Sequence, residues 1–231
     1  MLLLLKKYRA LIVLTLLTFS MWLFRVNTLA EAGCSDWYSI PLCPRLRFGF
    51  LLWNIYLAWI PVLLLELPTA RSKHQVLRWP ILLLAILFFP NAPYLITDLI
   101  HLKARAGVPL WYDALLLFSF AYLGLMLGLR ALSQIRAILR EYHCQWVVEV
   151  VTVSLFLLSG LGIYLGRVLR WNSWDAILDP QGPVTDVIAL FKAPVQHYEA
   201  WLMIGLFSTL LACVYWLHHD TFHRRTNAKL F

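Results

Sequence analysis

Residues 88–101 read Phe88-Phe89-Pro90-Asn91-Ala92-Pro93-Tyr94-Leu95-Ile96-Thr97-Asp98-Leu99-Ile100-His101. They close an apolar run that begins at Trp79 and is long enough to cross a bilayer. Two prolines three residues apart each remove a backbone donor and crowd the carbonyl four residues earlier. In hydrocarbon, freed backbone groups persist only against protein partners or a wet cavity. The stretch therefore predicts a transmembrane helix broken at Pro90–Pro93. Beyond the break, Asn91, Tyr94, Asp98 and His101 follow at spacings of three, four and three. At α-helical geometry they share a face roughly 80° wide. A broken span followed by a polar stripe points to a buried site.

The rest of the chain fits such a span. Of 231 residues, 61% are hydrophobic and only 14% are charged, where a soluble domain carries about a quarter charged. Eleven Trp and ten Tyr suit a protein with two membrane–water interfaces to populate. Apolar segments long enough to span hydrocarbon lie at about 9–29, 48–67, 79–100, 111–133, 146–167 and 199–218. The expected fold is all-α: a polytopic membrane helix bundle of six transmembrane helices, one integral-membrane domain over residues 1–231, with no internal repeat.

Basic residues orient it. Lys6, Lys7 and Arg9 precede the first span, and Arg71, Lys73 and Arg78 occupy the second loop. Arg130, Arg136 and Arg140 occupy the fourth, and Arg224, Arg225 and Lys229 the tail. The acidic Glu31, Asp36, Asp175, Asp179 and Asp186 fall on the opposite faces. Both termini are expected in the cytoplasm. The net charge of +8 follows from this distribution, with attraction to anionic membrane lipid a consequence. No basic, aromatic-interleaved patch suggests nucleic acid.

The first span precedes a small-x-small pattern, Ala30-Glu31-Ala32, which is one form of a signal-peptide site. Arg25 interrupts its apolar core and five more spans follow, so an uncleaved helix is expected. Cys34 and Cys43 share the first outer loop, where a disulfide would close about ten residues and stabilise by about 2–3 kcal/mol. Cys144 and Cys213 read as free thiols. In the fifth loop, the longest, an amphipathic piece near Asp186–Lys192 suits a membrane surface.

With this orientation, five helices present polar groups to one outer layer: Asn54 and Tyr56, then Asp98 and His101, Asp113, Arg167 and Arg170, and finally His197 and Glu199. The inner half offers mainly Glu66 and Glu149, near span ends. Asp98 and His101, one turn apart, are the candidate acid/base groups. Asn91, Tyr94, Asp113, Arg167 and His197 are the candidate substrate-binding groups. Asn91 reads as the N-cap of a half-helix whose positive end would face mid-membrane. Arg167 either pairs with Asp98 as a structural ion pair or grips an anionic substrate. Gly162 and Gly166, like Gly124 and Gly128, form small-x-x-x-small faces that let backbones approach closely. No His-Glu-x-x-His or comparable spacing is present, so no metal site is assigned, although Asp98 and His101 with His197, Glu199 or Asp113 would be the ligands of one. His219 and His223, at helical spacing, read as part of a cytoplasmic tail, and the cofactor is left open.

Two stretches together, FPNAPYLITDLIHL at 89–102 and GIYLGRVLRWNSWD at 162–175, with Trp111-Tyr112-Asp113 between them, resemble a family of predicted bacterial integral-membrane proteins catalogued as a domain of unknown function. The likeness runs from about the second span to the sixth. It implies a bacterial multi-pass protein of the inner membrane and carries no activity, substrate or catalytic residue. From the residues, the expected function is that of an enzyme at the outer leaflet acting on a lipid or lipid-linked anionic substrate. The alternatives are a transporter or export component, or a non-catalytic assembly partner in a homo-oligomer or with another membrane protein.

Overall fold

The computed structural model describes residues 2–28, 48–68, 75–105 and 107–227. The Cys34–Cys43 loop and the Ala30 pattern lie outside these residues. The described chain is all-α, with no strand beyond one isolated bridge between Arg105 and Val108. Its elements are α1 (Leu2–Thr28), α2 (Gly49–Leu64), α3 (Gln75–Phe88), α4 (Asn91–Tyr94), a 3₁₀ helix (Leu95–His101), α5 (Leu110–Arg140), α6 (Gln145–Arg167), α7 (Asp175–Leu178), α8 (Gln181–Lys192) and α9 (Tyr198–Asn227).

Five stretches are long and apolar enough to cross a membrane: Lys6–Asn27, Leu77–His101, Leu110–Arg140, Gln145–Arg167 and Tyr198–His218. The sixth expected span, on α2, is shorter. It ends at Leu64 after 16 residues, about 24 Å of helix against the roughly 30 Å of a hydrocarbon core. Residues 65–67 continue as tight turns.

The long α5 is the central helix. Of its apolar window 56% is buried, against 17% for α1. It packs on α1, α2, α4, the 3₁₀ helix and α6, while α9 packs chiefly on α6. Leu51, Ala58, Leu116, Phe120, Leu123 and Leu127 form the middle of the core. Outward-facing Val13, Leu16, Leu83, Phe118, Leu202 and Leu206 remain exposed, an apolar exterior uncommon in a water-soluble domain.

The break between α3 and α4 is a short detour whose backbone groups find new partners. Pro90 and Pro93 have no N–H to give to the carbonyls of Ile86 and Phe89. Those carbonyls accept instead from Phe89 and Ala92, each at 3.2 Å. The Phe88 carbonyl accepts from the Asn91 side chain at 2.9 Å. The chain then continues as one α turn and a 3₁₀ helix, which turns about 120° per residue instead of 100°. Leu95, Asp98 and His101 consequently fall in one column, and Tyr94, Thr97 and Ile100 in the next.

Both glycine faces seat this segment. A Cβ on Gly124 would collide with the Ala92 carbonyl oxygen and lie 2.9 Å from the Leu95 Cβ. One on Gly162 would lie 2.7 Å from the Pro90 Cβ. The small residues thus face the broken helix from α5 on one side and from α6 on the other.

Candidate binding site at the broken helix

Asp98 is completely buried and held from both oxygens. Its Oδ1 accepts from Arg167 Nη2, and its Oδ2 accepts from Asn54 Nδ2 at 3.0 Å. Thr97, the neighbour in the adjacent 3₁₀ column, accepts from Arg167 Nε at 2.9 Å and Nη2 at 2.6 Å, while its own hydroxyl donates to the Tyr94 carbonyl at 2.6 Å. Arg167 Nη1 stands 3.2 Å from His101 Nε2, and the guanidinium carbon lies 4.4 Å from the Tyr94 ring centroid. The planar fork of one arginine therefore reaches a carboxylate, a hydroxyl, an imidazole and an aromatic face together, which an ammonium could not match.

A cavity of about 260 Å³ lies beside this cluster. Asn54, Asn91, Tyr94, Asn172 and Ser173 supply its polar lining. Leu57, Leu87, Leu158, Leu161 and Leu165 supply an apolar wall, and Trp53 and Trp171 are among the aromatic residues lining it. Asp98, Arg167 and His101 are absent from its lining: Asp98 stands behind Asn54 and Arg167 behind Tyr94, with His101 against Arg167. Asn91 is not an N-cap. Pro90 occupies that position, and Asn91 donates one amide hydrogen to Phe88 and the other to Ser173 Oγ at 2.8 Å. The reason is local: the break leaves a carbonyl in need of a donor, not an amide in need of an acceptor. The Asn91 oxygen is left as an acceptor.

Trp171 Nε1 donates to Asp186 Oδ2 at 2.7 Å, and a Cβ on Gly182 would lie 2.7 Å from the Trp171 Cζ2. The indole is thus clamped between the cavity and α8. Arg170, at φ 65°, reverses the chain so that Trp171 N–H reaches the Leu165 carbonyl at 3.0 Å.

Asp113 belongs to a second cluster. It accepts from Arg25 Nε at 2.6 Å and from Arg105 Nη1 at 2.7 Å, and both guanidinium groups stack on Phe48, at 4.5 and 4.8 Å. Arg105 Nη2 also donates to the His101 carbonyl at 3.0 Å. His101 is therefore the hinge between two ion-pair clusters, its carbonyl on one and its ring on the other. His197, in the turn before α9, lines neither the cavity nor either cluster among the described residues.

The end of the bundle that holds Lys7 and Arg136 carries a polar layer that span positions alone did not show. Glu66 accepts from Lys7, from the Tyr8 hydroxyl and from Gln134 at 2.7 Å. Glu149 accepts from Arg136 at 2.6 and 2.8 Å. Both glutamates are tied into helix–helix contacts instead of merely snorkelling to water. Among the described residues, no three His, Cys, Asp or Glu side chains gather as a metal-ligand set.

Thr97, Arg25 and Arg105 are the participants that sequence reasoning did not assign. A hydroxyl inside an apolar run gives little signal, but the charge of Arg25 within the first span did call for an acidic partner.

A family model described as "Protein of unknown function (DUF1361)" matches residues 53–214. That range runs from the beginning of the cavity wall at Trp53 into α9, and it contains both quoted motifs. No curated protein and no solved structure matches the chain. With more than two thirds of its length matched, the chain belongs to this family of unknown function, DUF1361.

Proposed function

We propose that this is a multi-pass bacterial inner-membrane protein that binds an amphiphilic molecule, a lipid or lipid-linked compound, in the outer half of the bilayer. The observation that carries the reading is the cavity at the break. It combines amides and hydroxyls from Asn54, Asn91, Asn172 and Ser173 with a leucine wall, which suits a polar head joined to an apolar chain. Both amide hydrogens of Asn91 are engaged, so a head group meeting that residue does so by donating a hydrogen. Orientation follows the basic residues: Lys7, Arg130 and Arg136 lie at one end of the bundle, the cytoplasmic end by the positive-inside rule. Exposed Val184, Ile188 and Phe191 give α8 an apolar stripe suited to the outer interface.

In this reading Asp98 and Arg167 are positioning residues. Their mutual pairing and the Thr97 and Asn54 bonds favour a wall that orders Tyr94 and Asn54 over an acid/base pair open to substrate. A second reading, a gated path, draws on the inner layer around Glu66 and a recess of about 350 Å³ lined by Arg130, Gln134 and Glu141.

The test is native mass spectrometry of the full chain extracted with its lipids. The wild type retains a bound amphiphile. Leu161→Trp, which fills the cavity from a partly buried wall position, loses it while keeping its melting temperature. An unchanged lipid complement in that variant refutes the reading.

A further inference from the structure

We propose a second site, separate from the cavity and independent of the function proposed for it: an anion-binding recess that takes a phosphate or carboxylate group. Phe48, Phe50, His101, Lys103 and Arg105 line a hollow of about 220 Å³ at the far end of the 3₁₀ helix. Three of its five lining residues are basic, and the other two form an apolar surround that strengthens any charge interaction made inside it.

Arg105 is built into the site, not draped over it. Its side chain is only 9% exposed, with Nη1 fixed on Asp113 and Nη2 on the His101 carbonyl. Those bonds leave its Nε–H without a partner among the described residues. The Lys103 side chain is exposed and its ammonium is likewise without a partner among them. His101 adds a third donor: with Nε2 accepting from Arg167 Nη1, the ring proton resides on Nδ1.

Charge bookkeeping points the same way. Among the described residues, Asp98 balances Arg167, Arg25 and Arg105 share the single carboxylate of Asp113, and Lys103 faces none. Counting the described residues alone, two positive charges are thus in excess around the recess. An uncompensated cation in low dielectric is strongly unfavourable, and a bound anion, held by charge-assisted hydrogen bonds, removes that penalty. A lipid phosphate and a free anion offer the same chemistry.

The experiment measures melting temperature of the full-length protein in two settings. In neutral detergent, inorganic phosphate is titrated against a chloride control at constant ionic strength. In nanodiscs, phosphatidylglycerol is compared with phosphatidylcholine. Stabilisation by phosphate in detergent identifies a free-anion site. Stabilisation by phosphatidylglycerol alone identifies a lipid head group. In whichever arm responds, Lys103→Gln weakens apparent affinity by about tenfold, the scale of one charge-assisted contact, and Lys103→Arg restores it. Lys103 is exposed, so neither variant threatens the fold. No stabilisation in either arm, or a Lys103→Gln response equal to the wild type, overturns the proposal.

Discussion

At the residue scale, the Asp98–Arg167 pair shows what a buried charge needs. Each oxygen of Asp98 has a donor, and Arg167 reaches Thr97 twice as well. Removing one partner leaves the other charge stranded, so Asp98→Leu or Arg167→Met alone is expected to cost about 3–5 kcal/mol. The double variant is expected to lose far less, because no charge remains buried. Unfolding in mixed micelles, run as a double-mutant cycle, checks this; additive losses would show that the two side chains act separately. Arg167→Lys is expected to resemble the Met variant, since an ammonium cannot hold Asp98 and Thr97 at once. The pairing was one of two readings that helix direction and depth left open for Arg167. The part played by Thr97 was not legible, because a hydroxyl within an apolar run does not say which distant side chain it meets.

At the scale of elements, the broken helix is held by what its neighbours lack. Gly124 and Gly162 have no room for a methyl group, whereas Gly128 has: its nearest neighbour to an added Cβ is Ala92 Cβ at 3.6 Å. Gly124→Ala is therefore expected to destabilise by about 1–3 kcal/mol and Gly128→Ala to stay within about 0.5 kcal/mol. Equal melting temperatures for the two would contradict the seating described. The prolines told where the helix breaks and the glycines told that something packs closely. What the sequence could not tell was that these are two sides of one contact. That needed α5 and α6 to be seen flanking the same four residues.

At the scale of the molecule, the all-α architecture was legible because hydropathy over some twenty residues outweighs every local ambiguity. Helix α2 was less so: its apolar run extends past Leu64, but the backbone after Pro61 tightens into turns before the run ends. The inner polar layer was hidden for another reason. Glu66 lies 58 residues from Tyr8 and 68 from Gln134, and only packing brings such distant positions together. The proposed orientation predicts that Cys144, exposed between α5 and α6, resists a membrane-impermeant maleimide in intact spheroplasts and reacts in inverted vesicles, in a Cys34→Ser, Cys43→Ser background. Labelling from the outside would invert the topology.

The fastening of α1 has a consequence in time. Arg25 pairs with Asp113, 88 residues further along, and Tyr8 with Glu66, 58 residues further. Ribosomes add about 5–20 residues per second, so Arg25 is made roughly 4–18 s before its carboxylate. During that interval the carboxylate it holds in the folded chain does not yet exist. Helix α1 can thus fasten at its Tyr8 end once Glu66 is made, and at its Arg25 end only once α5 has begun. Its two fastenings are therefore made in sequence, the one to Glu66 before the one to Asp113.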